Sequence, residues 1–153
     1  MHIRERLMDY SLGNHLRFYW RLFRLRERTD GVLSDVLTFL LNRMAHRRGG
    51  YIGRGAKIAG VPSLPHGLHG VYISRYASIG ANCRIYQNVT IGEVSGRAPS
   101  IGNGCLIGAG AVLVGGIRVG DGAKIGAGAV VCTDVPAGAT VVCQPVRILP
   151  RDT

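Results

Sequence analysis

Charge and aromatic residues are scarce in this chain. Only 18% of its 153 residues are charged and 7% are aromatic, with three Phe and one Trp. Disorder is excluded all the same, because 46% of the residues are hydrophobic and disordered chains are poor in them. Six prolines, and glycines that avoid a strict three-residue spacing, exclude a collagen triple helix. No run approaches the roughly 18 apolar residues of a membrane span. The opening MHIRERLMDY lacks the apolar core of a secretory signal, so a cytoplasmic protein is expected. The four cysteines, Cys83, Cys105, Cys132 and Cys143, are too widely spaced for a zinc knuckle. Without a secretion signal they read as small apolar fillers rather than a disulfide framework. Nucleophile-elbow, P-loop and dinucleotide fingerprints are missing too.

Basic residues and glycine are what the chain has in excess. The net charge is +10, with 19 Lys or Arg against nine acids. Half the excess lies in residues 1–50, where ten arginines face five acids. That charge fits a solvated basic surface, or an anionic partner such as a phosphorylated cofactor, an acidic acceptor or a membrane surface. No nucleic-acid module accompanies it, so a nucleic-acid partner is not expected. The 23 glycines are about twice the usual share of roughly 7%.

The chain changes character at Gly49-Gly50. Residues 1–50 read as a helical segment, residues 51–149 as a repeat domain and residues 150–153 as a tail. One helix is expected from about His15 to Arg28. A second follows Asp30-Gly31 and ends near His46-Arg47-Arg48. Leu16, Tyr19, Trp20 and Phe23 share one side of the first helix, flanked by Arg17, Arg21 and Arg24. Leu33, Val36, Leu37, Leu40 and Met44 share one side of the second. These sides are expected to pack on the rest of the protein, with peripheral membrane contact as the alternative for the basic first helix.

From Ile52 onward a branched aliphatic recurs every six residues. Ile52, Ile58 and Leu64 form one run. Ile73, Ile79, Ile85 and Ile91 form a second, and Ile101, Ile107, Leu113, Val119, Ile125 and Val131 a third. Ala56, Ala77, Cys83, Cys105, Ala111, Ala123 and Ala129 lie two residues before the next step. On a helix of 3.6 residues per turn these positions would spiral around the axis. Glycine at this density would also cost a helix roughly 1 kcal/mol per site. Very short strands joined by tight corners fit instead, with the aliphatic and the small residue both facing inward. Three hexads close a triangular coil of about 18 residues, and coils stack at about the 4.8 Å strand spacing.

Two breaks in the register are where chemistry is expected. Leu64 to Ile73 spans nine residues and contains PHGLHG; Ile91 to Ile101 spans ten and contains GEVSGRAPS. Both insertions should project as loops. His66 and His69 lie in the first. A neutral imidazole with a pKa near 6.5 is the usual base for a hydroxyl nucleophile. The remaining histidines, His2, His15 and His46, all fall in the helical segment, so a three-histidine zinc site is not expected. Gly92 and Gly96 in the second loop would let backbone N–H groups approach a developing oxyanion. A non-catalytic β-helix scaffold is the alternative from another class.

The segments AKIAGVPSLPHGLHGVYIS, NVTIGEVSGRAPSIGNGCLIGAGAVL and VGDGAKIGAGAVVCTDVPAGATVVCQPVRIL resemble the hexapeptide-repeat acyltransferases. Over about residues 51–149 the likeness is to the serine O-acetyltransferase branch and the related capsule and exopolysaccharide O-acetyltransferases. The resemblance implies a left-handed parallel β-helix, acetyl-CoA as acyl donor and no metal. It implies a homotrimer with active sites between subunits, acting on a small-molecule acceptor. It puts His66 in the place of the catalytic base, with His69 three residues on as the competitor and Glu93 or a backbone carbonyl as the group that would orient the ring; His69, Glu93 and Arg97 are also candidates for the acceptor site. Ala109, Gly110, Ala127 and Gly128 would let pantetheine lie along the later coils, with Gly92 and Gly96 nearby. Lys124 and Arg147 are candidates for the phosphates. The chain departs from the family at Tyr51-Ile52-Gly53-Arg54, where serine acetyltransferases carry Asp-Ile-His-Pro. It departs again at Pro65, the place of an Asp, and at Ala98, the place of a His. L-serine is the acceptor favoured by resemblance, and a sugar hydroxyl is the alternative. The end Arg151-Asp152-Thr153 lacks the isoleucine that docks into cysteine synthase in this family, so no such complex is expected.

Overall fold

The computed structural model describes residues 16–143. Two helices, α1 (Arg17–Arg26) and α2 (Gly31–His46), precede thirteen very short strands. The strands form three parallel sheets. The first holds β1 (Tyr51–Ile52), β3 (Tyr72–Ile73), β6 (Thr90–Gly92), β9 (Val112–Val114) and β12 (Val130–Val131). The second holds β2 (Lys57–Ile58), β4 (Ser78–Ile79), β7 (Ser100–Ile101) and β10 (Arg118–Val119). The third holds β5 (Arg84–Ile85), β8 (Leu106–Ile107), β11 (Lys124–Ile125) and β13 (Thr140–Val141). The chain visits the sheets in rotation, with single bridges at Ser63 and Val135 standing for a strand in the first and last coils, and so winds a triangular prism.

The six-residue period produces this directly. In a strand successive side chains point to opposite faces. Each two-residue strand therefore turns one residue outward, such as Lys57, Ser78 or Arg118, and one aliphatic inward. Register pairs stack Ile52, Ile73, Ile91, Leu113 and Val131 in one column. Ile58, Ile79, Ile101 and Val119 form a second column, and Ile85, Ile107, Ile125 and Val141 a third. Ala56, Ala77, Cys83, Cys105, Ala111, Ala123 and Ala129 are all buried between the columns. Side chains also stitch one corner across coils: Asn103 Oδ1 accepts the Ala81 N–H at 2.8 Å, and Asp121 Oδ1 accepts the Asn103 N–H at 2.7 Å.

The last described coil is shorter than the hexad rule predicts. Val135 follows Val131 by four residues and bridges to Val119. Asp134 Oδ1 accepts the Arg118 N–H at 2.8 Å and holds that tight corner in place of the missing residues. The cysteines split into two kinds. Cys83 and Cys105 are buried fillers, and burial pushes both thiols up. Cys132 and Cys143 are exposed, so the filler reading does not hold for them.

The helices lie against the first coil and share one core with it. Leu16, Tyr19, Trp20 and Phe23 are buried as expected, with Trp20 edge-on to both aromatic neighbours. Arg26 is buried 4.3 Å above the Phe23 ring, and desolvation lowers its pKa. The inward side of α2 differs from the one expected. Ser34, Leu37, Leu41 and Ala45 are buried, whereas Leu33, Val36 and Leu40 are exposed. In this orientation Arg54 of the first coil ion-pairs with Asp35 and donates to Ser34 Oγ at 3.3 Å. Among the described residues, no helix is long and apolar enough to cross a membrane.

The inward columns set the stability. Ile107 is fully buried in the middle coils. Ile107→Ala should lower unfolding free energy by about 2–5 kcal/mol, read as a lower urea midpoint, because the flanking coils cannot close the void.

Candidate active site

The first loop turns the corner between the third sheet and the first. It is an ordered structure. Gly67 N–H donates to the Leu64 carbonyl at 3.0 Å and Val71 N–H to the Leu68 carbonyl at 3.2 Å. Gly70 N–H reaches the Arg48 carbonyl at 3.1 Å, and the His69 carbonyl accepts Asn88 N–H at 2.9 Å. Leu68 is fully buried and anchors the loop, which leaves His66 and His69 exposed. The His66 ring lies 6.1 Å from the Tyr86 ring at an interplanar angle of 45°. Among the described residues the exposed His66 imidazole has no hydrogen-bond partner. His69 is held through its backbone rather than its ring.

Below His66 the same corner continues through the later coils. The Gln87 carbonyl accepts Gly110 N–H at 3.0 Å, and the Ala109 carbonyl accepts Gly128 N–H at 2.8 Å. Cys143 Sγ lies 3.4 Å from the Ala127 carbonyl at the end of this row. His69, Gln87, Ala109 and Ala127 therefore stand in register along one edge of the prism, and His66 lies three residues earlier in the loop at its head, beside Tyr86. A Cβ added at Gly110 would meet nothing within 4 Å, so that edge is open to a ligand. Two residues of this edge escaped the sequence reading, Tyr86 and Gln87. Gln87 occupies the place taken by Ala109 and Ala127 one and two coils on, and among the described residues its buried Oε1 has no partner. The break from small residues at that step was the available signal.

The second loop leaves a different corner, between the first sheet and the second. Val94 and Arg97 exchange backbone hydrogen bonds of 2.9 and 3.1 Å, closing a two-residue hairpin. Ser95 and Gly96 at its tip have φ of 51° and 74°, as a type I′ turn requires. The stem of Arg97 lies on the backbone of Gly116, where an added Cβ would sit 3.1 Å from Arg97 Cβ. Glycine is needed there to let the hairpin settle on the next coil. Glu93 accepts a 2.6 Å hydrogen bond from Ser74 Oγ.

Within one chain, then, the two loops do not meet. Glu93 is engaged by Ser74 and is not the group that orients His66 of the same chain. Arg54 is engaged by α2. Gly92 is a ladder residue of β6 opposite Val114, and its carbonyl takes Gly115 N–H at 3.3 Å. Gly96 sits at the hairpin tip. Neither glycine is directed at His66 of its own chain, contrary to the simplest reading of an oxyanion site. Lys124 points outward from β11 and is exposed. Arg147 lies outside the described residues. Among those residues, no three His, Cys, Asp or Glu side chains converge.

Residues 98–133 match the bacterial transferase hexapeptide repeat (six repeats). The chain is 40% identical over 101 residues to a serine acetyltransferase of Synechococcus elongatus, covering 63% of this chain and 41% of that protein. It is 42% identical over 102 residues to the serine acetyltransferase of Staphylococcus aureus strain Mu50, covering 64% and 47%. The solved serine acetyltransferase of Neisseria gonorrhoeae in complex with serine superposes with a TM-score of 0.70 at 36% identity, over 85% of this chain and 55% of that one. Serine acetyltransferase isoform 3 of Entamoeba histolytica in complex with cysteine gives 0.71 at 31%, over 92% and 51%. The chain thus spans about half the length of the relatives it matches. The repeat and the superpositions fit the prism to a left-handed parallel β-helix.

The hairpin's seat on Gly116 can be tested on its own. Gly116→Val should lift Arg97 off the next coil, and trypsin should cut after Arg97 several-fold faster than in the parent chain while the thermal midpoint changes little.

Proposed function

We propose that this chain is an acetyl-CoA-dependent O-acetyltransferase in which His66 is the general base. The observation that carries the reading is that the exposed His66 loop heads the edge continued by Gln87, Ala109-Gly110 and Ala127-Gly128, which is open at Gly110. A pantetheine arm lying along that edge would deliver its thioester to the imidazole, and the small side chains give it room. Gln87 Oε1, buried and without a donor, fits an amide N–H of such an arm.

The chemistry follows from the need to activate an alcohol. Neutral His66 takes the proton of the acceptor hydroxyl as the oxygen attacks the thioester carbon. The C–O bond forms and negative charge gathers on the former carbonyl oxygen. Collapse breaks the C–S bond, and the imidazolium returns the proton to the departing sulfur, leaving ester and free CoA thiol. General-base assistance of this kind is worth about 10²- to 10⁴-fold. Buried Cys83 and Cys105 are poor candidates for a covalent route, since burial disfavours their thiolates.

L-serine is the acceptor favoured by the likeness to serine acetyltransferases. In that case Arg97 would hold the serine carboxylate. A sugar hydroxyl is the second reading, favoured by Tyr86, whose ring beside His66 offers a flat face to a pyranose. Pro65 and Ala98 support it too, because the polar side chains the family uses for serine are replaced there.

A cyclic homotrimer completes the proposal. The His66 loop and the Glu93–Arg97 loop project from different corners of one prism, so a neighbouring subunit would supply the second loop to the first. Light scattering should return three times the 16.4 kDa chain mass, and a monomer that is fully active would refute the shared site.

Release of CoA thiol from acetyl-CoA, with L-serine and a sugar panel in parallel, tests the reaction. His66→Ala should reduce the rate by about 10²- to 10⁴-fold without shifting the thermal midpoint. An unchanged rate would remove His66 from the mechanism. A response to sugar alone would replace serine with the second reading.

A further inference from the structure

We infer that the outward surface of the α1–α2 pair docks on an anionic lipid bilayer. Two separate observations point there. The first is that α2 is apolar on opposite sides. Leu37, Leu41 and Ala45 face the core, while Val32, Leu33, Val36, Phe39 and Leu40 remain 79, 54, 49, 65 and 42% exposed. Their spacing makes one stripe along the helix. Five exposed apolar residues in one stripe fit an interaction face better than scattered apolar residues. Asp35, the one acid within α2, is held to Arg54. Exposed Arg43 and Arg47 continue the stripe toward the end of the helix.

The second observation is a groove of about 820 Å³ between α1 and the Val61–Leu64 segment. Its apolar wall includes Trp20, Leu25, Val61 and Pro62. Arg17, Arg21, Arg24 and Arg28 line it as well, Arg24 also donating to the Ala59 carbonyl at 3.4 Å, and among the described residues no carboxylate lines it. Spacings of four, three and four place the four guanidinium groups on one side of α1 and its C-terminal extension.

The combination selects the partner. An acidic soluble protein would neutralise the arginines but leave the α2 stripe in water. An apolar protein surface would strand four cations in a desolvated contact, at a large cost. An anionic bilayer offers phosphates and hydrocarbon in adjacent layers. The stripe can enter the headgroup–acyl boundary while the arginines meet lipid phosphates. This surface is distinct from the His66 edge and does not depend on the acetyl-transfer reading.

Co-sedimentation of the full chain with vesicles is the test. One set is neutral phosphatidylcholine; the other contains about one-third phosphatidylglycerol. Binding should be confined to the anionic set and should weaken in high salt. Val36→Ser/Phe39→Ser keeps the charge and alters only exposed positions, and it should lower the partition coefficient at least ten-fold. Arg17→Gln/Arg21→Gln should lower it about five-fold per charge. Arg84→Gln/Arg118→Gln removes two charges from the coil sides and should change it less than two-fold. Thermal melts of all three variants check the fold. Failure to bind anionic vesicles overturns the proposal. So does an equal loss in both arginine pairs with no effect of Val36→Ser/Phe39→Ser, which would mean attraction by overall charge alone. A drop in solution mass for Val36→Ser/Phe39→Ser without loss of vesicle binding would reassign the stripe to contact with a second copy.

Discussion

The vertical contact between aliphatic side chains one coil apart is what the rest of the molecule depends on. Strands of two or three residues have no stability by themselves. They persist because each inward Ile, Leu or Val rests on the equivalent residue above and below, with the ladder hydrogen bonds tying the same two coils. A slip by one residue would turn every inward aliphatic to solvent. Insertions are therefore tolerated only at corners, where the chain can leave and return without moving a column. Both the His66 loop and the Val94–Arg97 hairpin obey this constraint.

The same constraint spaces the chemistry. The corner that carries His66 repeats through Gln87, Ala109-Gly110 and Ala127-Gly128, and each step is one coil high. A straight ligand can follow such an edge because its backbone neighbours recur in register. The hairpin leaves from another corner and is seated on Gly116 of the following coil. A single prism cannot bring two of its own corners together, which is why the proposed site draws on two subunits.

Much of this was legible in the residues. The thirteen hexad aliphatics announced the coil because inward packing admits little else at those steps. The two loops announced themselves as surplus residues between Leu64 and Ile73 and between Ile91 and Ile101. The rest depended on relations between coils that periodicity does not carry. Glu93 finds Ser74 only once the corners are assigned. The side of α2 that faces the core was hidden because both sides are apolar, and periodicity does not choose between them. The short step from Val131 to Val135 was present in the sequence, yet it conflicts with the hexad rule, and Asp134 resolves the conflict through a single backbone hydrogen bond.

One property of the prism reaches beyond binding and catalysis. In all three sheets the strands run around the axis, so their hydrogen bonds run along it. A force pulling the two ends of the coil apart therefore loads those bonds in tension, a few at a time, starting from an end. Each coil released would lengthen the chain by its own contour before the next is strained. The molecule would yield as a staircase of small, nearly equal steps, with the longer loops as uneven treads. A sandwich whose terminal strands shear past each other breaks in one event instead. Mechanically this solenoid behaves as a zipper with its teeth set across the pull.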